Sequence, residues 1–139
     1  MKVGARDELE RLTRQWISLW CVPVDWSLFD ALHADDFVDC TAAGRAATKQ
    51  GFATGIAELV CAFPDLHTRV ESLVIDELAG RVAVRWSAVG THAEVFLGVA
   101  ATQRAVQLRG IEIIEVVRSR IVRRWGEWDV SDLRGQARL

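Results

Sequence analysis

The sequence predicts an α+β fold, with about three N-terminal helices packed on one strongly curved sheet. Three observations predict it. Apolar residues recur at helical spacing as far as Phe63 and switch to a period of two from Leu66 onward. Helices come first and long strands follow, without the strand–helix alternation of a parallel sheet. The 139 residues are half hydrophobic, with no repeat, low-complexity tract or linker. One domain over residues 1–139, burying roughly two-thirds of its unfolded surface, is therefore the expected organisation.

The elements follow in order. Leu9, Leu12, Trp16, Leu19 and Trp20 lie on one face of a first helix, with Glu8, Arg11 and Arg14 opposite and Pro23 as its stop. Asp25 is placed to N-cap a short second helix carrying Leu28, Phe29 and Leu32. Phe37–Thr41 is a short strand, and 42–47 a loop of small residues. A third helix starts near Thr48, carries Phe52, Ile56, Leu59, Val60 and Phe63, and ends before Pro64. Strands are expected over 67–75 and from Arg81 towards His92, joined by a turn at 76–80. A loop with an apolar middle, 95–99, precedes a hairpin of 106–117 and 121–130 across Arg118-Ser119-Arg120.

Composition narrows the function. Seventeen basic and nineteen acidic residues give a net charge of −2, so no polyanion-binding surface and no nucleic-acid partner is expected. No apolar run approaches membrane-spanning length, and the N-terminal residues turn polar at once, so neither a membrane partner nor a signal peptide is expected. Cys21, Cys40 and Cys61 are odd in number and far apart, which fits reduced thiols and a cytoplasmic setting. Three scattered histidines predict no metal site, and no glycine-rich phosphate loop is present, so no cofactor is expected. Six Trp and no Tyr leave carboxylates, His and Cys as the available acids and bases.

Candidate site residues come from strand parity. Val82, Val84, Trp86, Ala88, Gly90 and His92 share one side of their strand, and the Trp86 side is expected to face inward. On the last strand Trp125, Glu127 and Asp129 alternate with Arg124, Gly126 and Trp128. A carboxyl beside an apolar wall has its pKa raised by desolvation and is suited to proton transfer near neutral pH. Asp129 and Glu127 are thus candidate acid/base residues beside Trp125, with Trp86, Phe52 and Phe63 as further ligand walls. Arg118, Arg120, Arg123 and Arg124 read as a solvated basic edge.

Six segments carry a family resemblance: Ala34-Asp35-Asp36-Phe37-Val38-Asp39, Ala62-Phe63-Pro64-Asp65-Leu66, Val82–Trp86, Gly90-Thr91-His92, Gly110-Ile111-Glu112-Ile113, and Ile121-Val122 with Trp125-Gly126-Glu127-Trp128-Asp129. In this order they resemble the SnoaL-like polyketide cyclases of the nuclear-transport-factor-2-like superfamily, over roughly residues 8–135. The resemblance implies a cone-shaped α+β barrel with a mixed sheet, an apolar pocket at its wide end, and a homodimer formed through the sheet. It implies cofactor-independent ring closure of a polyketide-, steroid- or terpenoid-like molecule. An acidic residue of the last strand, best matched by Asp129 and next by Glu127, would be the general acid/base and His92 its polar partner. Two other outcomes stay open on this fold: an epoxide-hydrolase- or isomerase-like enzyme, and a module that binds a hydrophobic ligand without turnover. Cys40 stands where many relatives carry His. The Arg of the epoxide-hydrolase motif is missing at Gly90-Thr91-His92, and no Tyr is present to orient a water.

Overall fold

A computed structural model describes residues 4–42 and 44–137. The elements run α1 (Ala5–Ile17), α2 (Trp26–Leu32), β1 (His33–Asp39), α3 (Lys49–Ala62), β2 (His67–Asp76), β3 (Arg81–Thr91), β4 (Ala105–Val117), β5 (Arg120–Trp128) and α4 (Val130–Ala137). The five strands form one sheet in the order β1-β5-β4-β3-β2, with β1 parallel to β5 and every other pair antiparallel.

Local chemistry accounts for most boundaries. The amphipathic face of α1 and the turn after it bury Leu9, Leu12, Trp16, Leu19 and Trp20. Asp25 caps α2 by accepting from the Leu28 amide at 3.0 Å, and Thr48 caps α3 by accepting from the Gly51 amide at 3.1 Å. β1 starts at His33, four residues before the strand expected from Phe37, because α2 runs into it without a loop. His33 is held there from both sides: its Nδ1–H donates to the Phe29 carbonyl at 2.7 Å and its Nε2 accepts from Trp16 Nε1 at 3.0 Å. His33 is fully buried, and burial depresses its pKa to about 4. The last strand stops at Trp128 instead of Val130, since the Asp129 carboxylate accepts from the Asp132 amide at 2.8 Å and starts α4. That helix was not expected from the apolar periodicity.

Register sorts the sheet into two faces. Val84 pairs with Glu112 and Glu112 with Gly126; Trp86 pairs with Gly110 and Gly110 with Trp128. These residues, with Val82, Ala88, Leu108, Ile114 and Arg124, form the inner face under the helices. Arg85, Val89, Ile111, Ile113, Arg123 and Trp125 take the outer face. On β3 the inner side is the one that holds Trp86, as parity predicts. On β5 it is Arg124, Gly126 and Trp128 that face inward, the reverse of the expected side.

Candidate active site

A cavity of about 460 Å³ opens between α3, the 93–104 loop and the inner face of β5. Trp20, Phe52, Ile56, Leu59, Phe96 and Trp128 give it apolar walls, while Thr41, Arg45 and Arg124 supply polar groups and Glu58 and Glu127 also border it. Phe96 arrives on a tight turn closed by paired hydrogen bonds between Phe96 and Val99, with Leu97 and Gly98 at positive φ.

The polar end centres on Arg124. Its side chain is 6% exposed, and two fully buried carboxylates flank it. Nε and Nη2 donate to Glu112 Oε1 at 2.9 and 2.6 Å, and Nη1 donates to Asp39 Oδ1 at 3.0 Å. Nη1 also reaches Thr41 Oγ1 at 3.3 Å, and that oxygen accepts the Gly126 amide at 2.8 Å. Asp39 turns its other oxygen to Arg45 Nη2 at 3.4 Å. Gly126 makes the arrangement possible: a Cβ there would collide with Glu112 Oε2 and Arg124 Nη2.

Burial pushes the Glu112 carboxyl up to about 7; Arg124 opposes this, and the nearby Asp39 charge adds to it. Glu112 Oε2 has no hydrogen-bond partner. The Trp86 indole, itself without a partner, draws the carboxyl down somewhat, and a carboxyl balanced near neutrality in this way can accept and return a proton.

The sequence-predicted residues fall in different places. Phe52 and Glu127 border the cavity. Trp86 is buried on the inner face, 4.9 Å edge-on from Trp128, and does not border the cavity. Trp125 lies on the outer face with the Arg81 guanidinium 5.2 Å over its ring, so Trp128 takes the place expected of it. Asp129 does not line the cavity either: Arg109 Nη2 donates to it at 2.9 Å, and the Asp132 amide and then Arg109 hold its pKa below the usual carboxylate range. His92 is fully buried and stacks on Phe63 at 5.3 Å, with Nδ1 3.5 Å from Thr102 Oγ1 and Nε2 unpartnered. Among the described residues no hydrogen bond joins His92 to Asp129 or Glu127. His92 and Phe63 instead anchor the cavity-covering loop. The His92 carbonyl accepts the Thr102 and Gln103 amides, and Phe63 packs edge-on against Phe96 at 5.4 Å.

Parity reasoning missed Arg124, Glu112 and Asp39. The available signals were a lone Glu on the apolar side of β4, opposite a strand glycine, and an Arg two residues before that glycine.

Among the described residues no group of three or more His, Cys, Asp or Glu could hold a metal ion, and no helix is long and apolar enough to cross a membrane.

Helices closing a curved mixed sheet over an apolar cavity define a cone-shaped α+β fold. Solved structures share it. TsrD from Streptomyces laurentii superposes with a TM-score of 0.85 at 18% identity, covering 98% of each chain. IdmH from Streptomyces antibioticus gives 0.79 at 24% identity, covering 94% of this chain and 99% of its own. A SnoaL-like polyketide cyclase from Agrobacterium tumefaciens gives 0.69 at 21%, covering 97% and 98%. No curated protein is significantly similar in sequence. The family model for SnoaL-like polyketide cyclases matches residues 10–137, and the chain belongs to that family.

Proposed function

We propose that this protein is a small acid/base enzyme that removes and returns a proton next to a carbonyl of an apolar, ring-forming substrate, as a polyketide cyclase would. One observation carries the reading: the buried Glu112 carboxyl, its pKa raised to about 7, lies behind Arg124 and Gly126, which line the end of an apolar cavity that Glu112 itself does not line. Arg124 lines the cavity and would stabilise the enolate oxygen that develops as the proton leaves. Glu112 would take the proton and give it back after the carbon–carbon bond forms. Trp20, Phe52 and Trp128 would hold the chain folded so that enolate and acceptor carbonyl meet. Glu127 borders the same cavity but shares the outward side of β5 with Trp125, so the reading gives the proton transfer to Glu112. Asp129, beside Arg109 and outside the cavity, is its rival from the family resemblance.

The test is α-proton exchange of 2-tetralone in D₂O, followed by NMR. The wild type should accelerate exchange, with a rate that rises as pH passes through about 7. Glu112→Gln should slow it by about 100-fold while circular dichroism stays unchanged. An unaltered rate in a folded Glu112→Gln protein would remove Glu112 from the mechanism. Loss of activity in Asp129→Asn instead would move the proton transfer to the end of the last strand.

The partner we propose for the outer sheet face is a second copy of the chain. Ile111 and Val89 are 52% and 53% exposed there, beside Ile113 and Trp125, an apolar strip of the kind that a homodimer covers. Sedimentation should give a dimer that Ile111→Lys converts to monomer; a monomeric wild type at micromolar concentration would refute it.

A further inference from the structure

We propose that the ligand of this cavity carries a carboxylate, and that Arg45, with the Thr41 hydroxyl beside it, is the group that selects it. The inference rests on the cavity being a substrate site and goes further, by naming what one end of the substrate presents.

The two guanidiniums on the cavity wall are not equivalent. Arg124 spends Nε, Nη1 and Nη2 on Glu112, Asp39 and Thr41, and its charge is matched. Arg45 has five N–H donors and uses one, in a long 3.4 Å contact with Asp39 Oδ2. Its Nε is buried without a partner. Nε is covered by the Gly55 notch, so the donors left for a ligand are those of the Nη groups, on a side chain that is 27% exposed and lines the cavity. Among the described residues Asp39 is the one carboxylate in ion-pair reach of Arg45, although Glu58 and Glu127 border the same cavity.

The surroundings are shaped for this side chain. A Cβ at Gly55 on α3 would come within 2.7 Å of Arg45 Cζ and Nε, so the helix leaves a notch in which the guanidinium lies along the cavity wall. Thr41 Oγ1 already accepts the Gly126 amide, while its own hydroxyl hydrogen has only a 3.5 Å contact, to Asp39. The wall therefore offers a planar fork of donors with a free O–H beside it, which matches the two oxygens of a carboxylate. Trp20, Phe52 and Trp128 supply flat apolar surface for the rest of the molecule. An aromatic or polycyclic acid fits both halves.

The experiment compares 2-naphthoate with its methyl ester, using quenching of the intrinsic tryptophan fluorescence to which Trp20 and Trp128 contribute. The wild type should bind the acid about tenfold or more tightly than the ester. Arg45→Gln should bring the two within about twofold, chiefly by weakening the acid, and Arg45→Lys should restore part of the difference. Circular dichroism establishes that each variant is folded. Equal affinity for acid and ester in the wild type overturns the proposal and leaves the cavity reading intact. A preference for the acid that survives in Arg45→Gln overturns the assignment to Arg45. Failure of both compounds to bind overturns the cavity reading itself, and the inference with it.

Discussion

Arg123 and Arg124 are neighbours in sequence and live in different solvents. Arg123 stands on the outer face of the sheet, half exposed, and donates to Glu115 at 2.7 Å, an acid it shares with Arg81. Arg124 stands on the inner face, 6% exposed, between two carboxylates that water does not reach. The same side chain is thus a minor surface contact at one position and the centre of the candidate active site at the next. An exposed pair gains little because water screens it, whereas a buried charge deprived of its partners has nothing to replace them. The two faces of β5 therefore carry different kinds of information. The outer face bears solubility and the proposed partner contact. The inner face bears the charge chemistry.

The largest effect should separate these neighbours directly. Arg124→Met leaves Glu112 and Asp39 buried without their shared cation and should cost about 3–5 kcal/mol in urea unfolding. Arg123→Met should cost under about 1 kcal/mol. Equal losses would mean that the two faces are not energetically distinct.

Next comes pH. His33 is neutral when folded, with a pKa of about 4 against 6.5 unfolded, so the unfolded chain binds the extra proton between these values. Its contribution, about 3 kcal/mol, is complete above pH 6.5 and is lost as pH falls towards 4. Glu112 works in the opposite sense. Its folded pKa of about 7 exceeds the 4.5 of the unfolded chain, so stability from this group is complete below 4.5 and is lost as pH rises through 7. Between about 4.5 and 6.5 the two slopes oppose each other. Glu112→Gln should expose the rising slope of His33, and His33→Gln the falling slope of Glu112. Denaturant midpoints measured across that range check both. A wild-type profile as steep as that of Glu112→Gln would show that Glu112 does not titrate there.

The smallest effect tests the gap between the faces. Gly126→Ala pushes a methyl group into Glu112 and Arg124 and should cost about 1–3 kcal/mol. Glu127→Ala, one residue on and exposed, should stay within about 0.5 kcal/mol. Similar values for the two would show that the buried pair can move aside freely.

Much of this was legible in the chain. Helix α1 declared its buried face because a 3.6-residue period has one apolar stripe. Asp25 and Thr48 announced helix starts because their side chains cap locally. Trp86 was placed inward because β3 alternates Val, Val, Trp and Ala against Arg, Arg and Ser. Phe52 sits on the buried stripe of α3 and lines the cavity. The family was legible too, from six short segments in order.

The last strand was different. Its alternation established that Arg124, Gly126 and Trp128 share a side and that Trp125 and Glu127 share the other. Each set holds one tryptophan and one charge, so the pattern is nearly unchanged if the strand is turned over. Tertiary pairing decided the matter: Glu112, 12 residues before Arg124, and Asp39, 85 residues before it, meet the guanidinium across a position with no side chain. A sequence can state which residues travel together. Which of two charged sets enters a core depends on partners that only the folded sheet brings within reach.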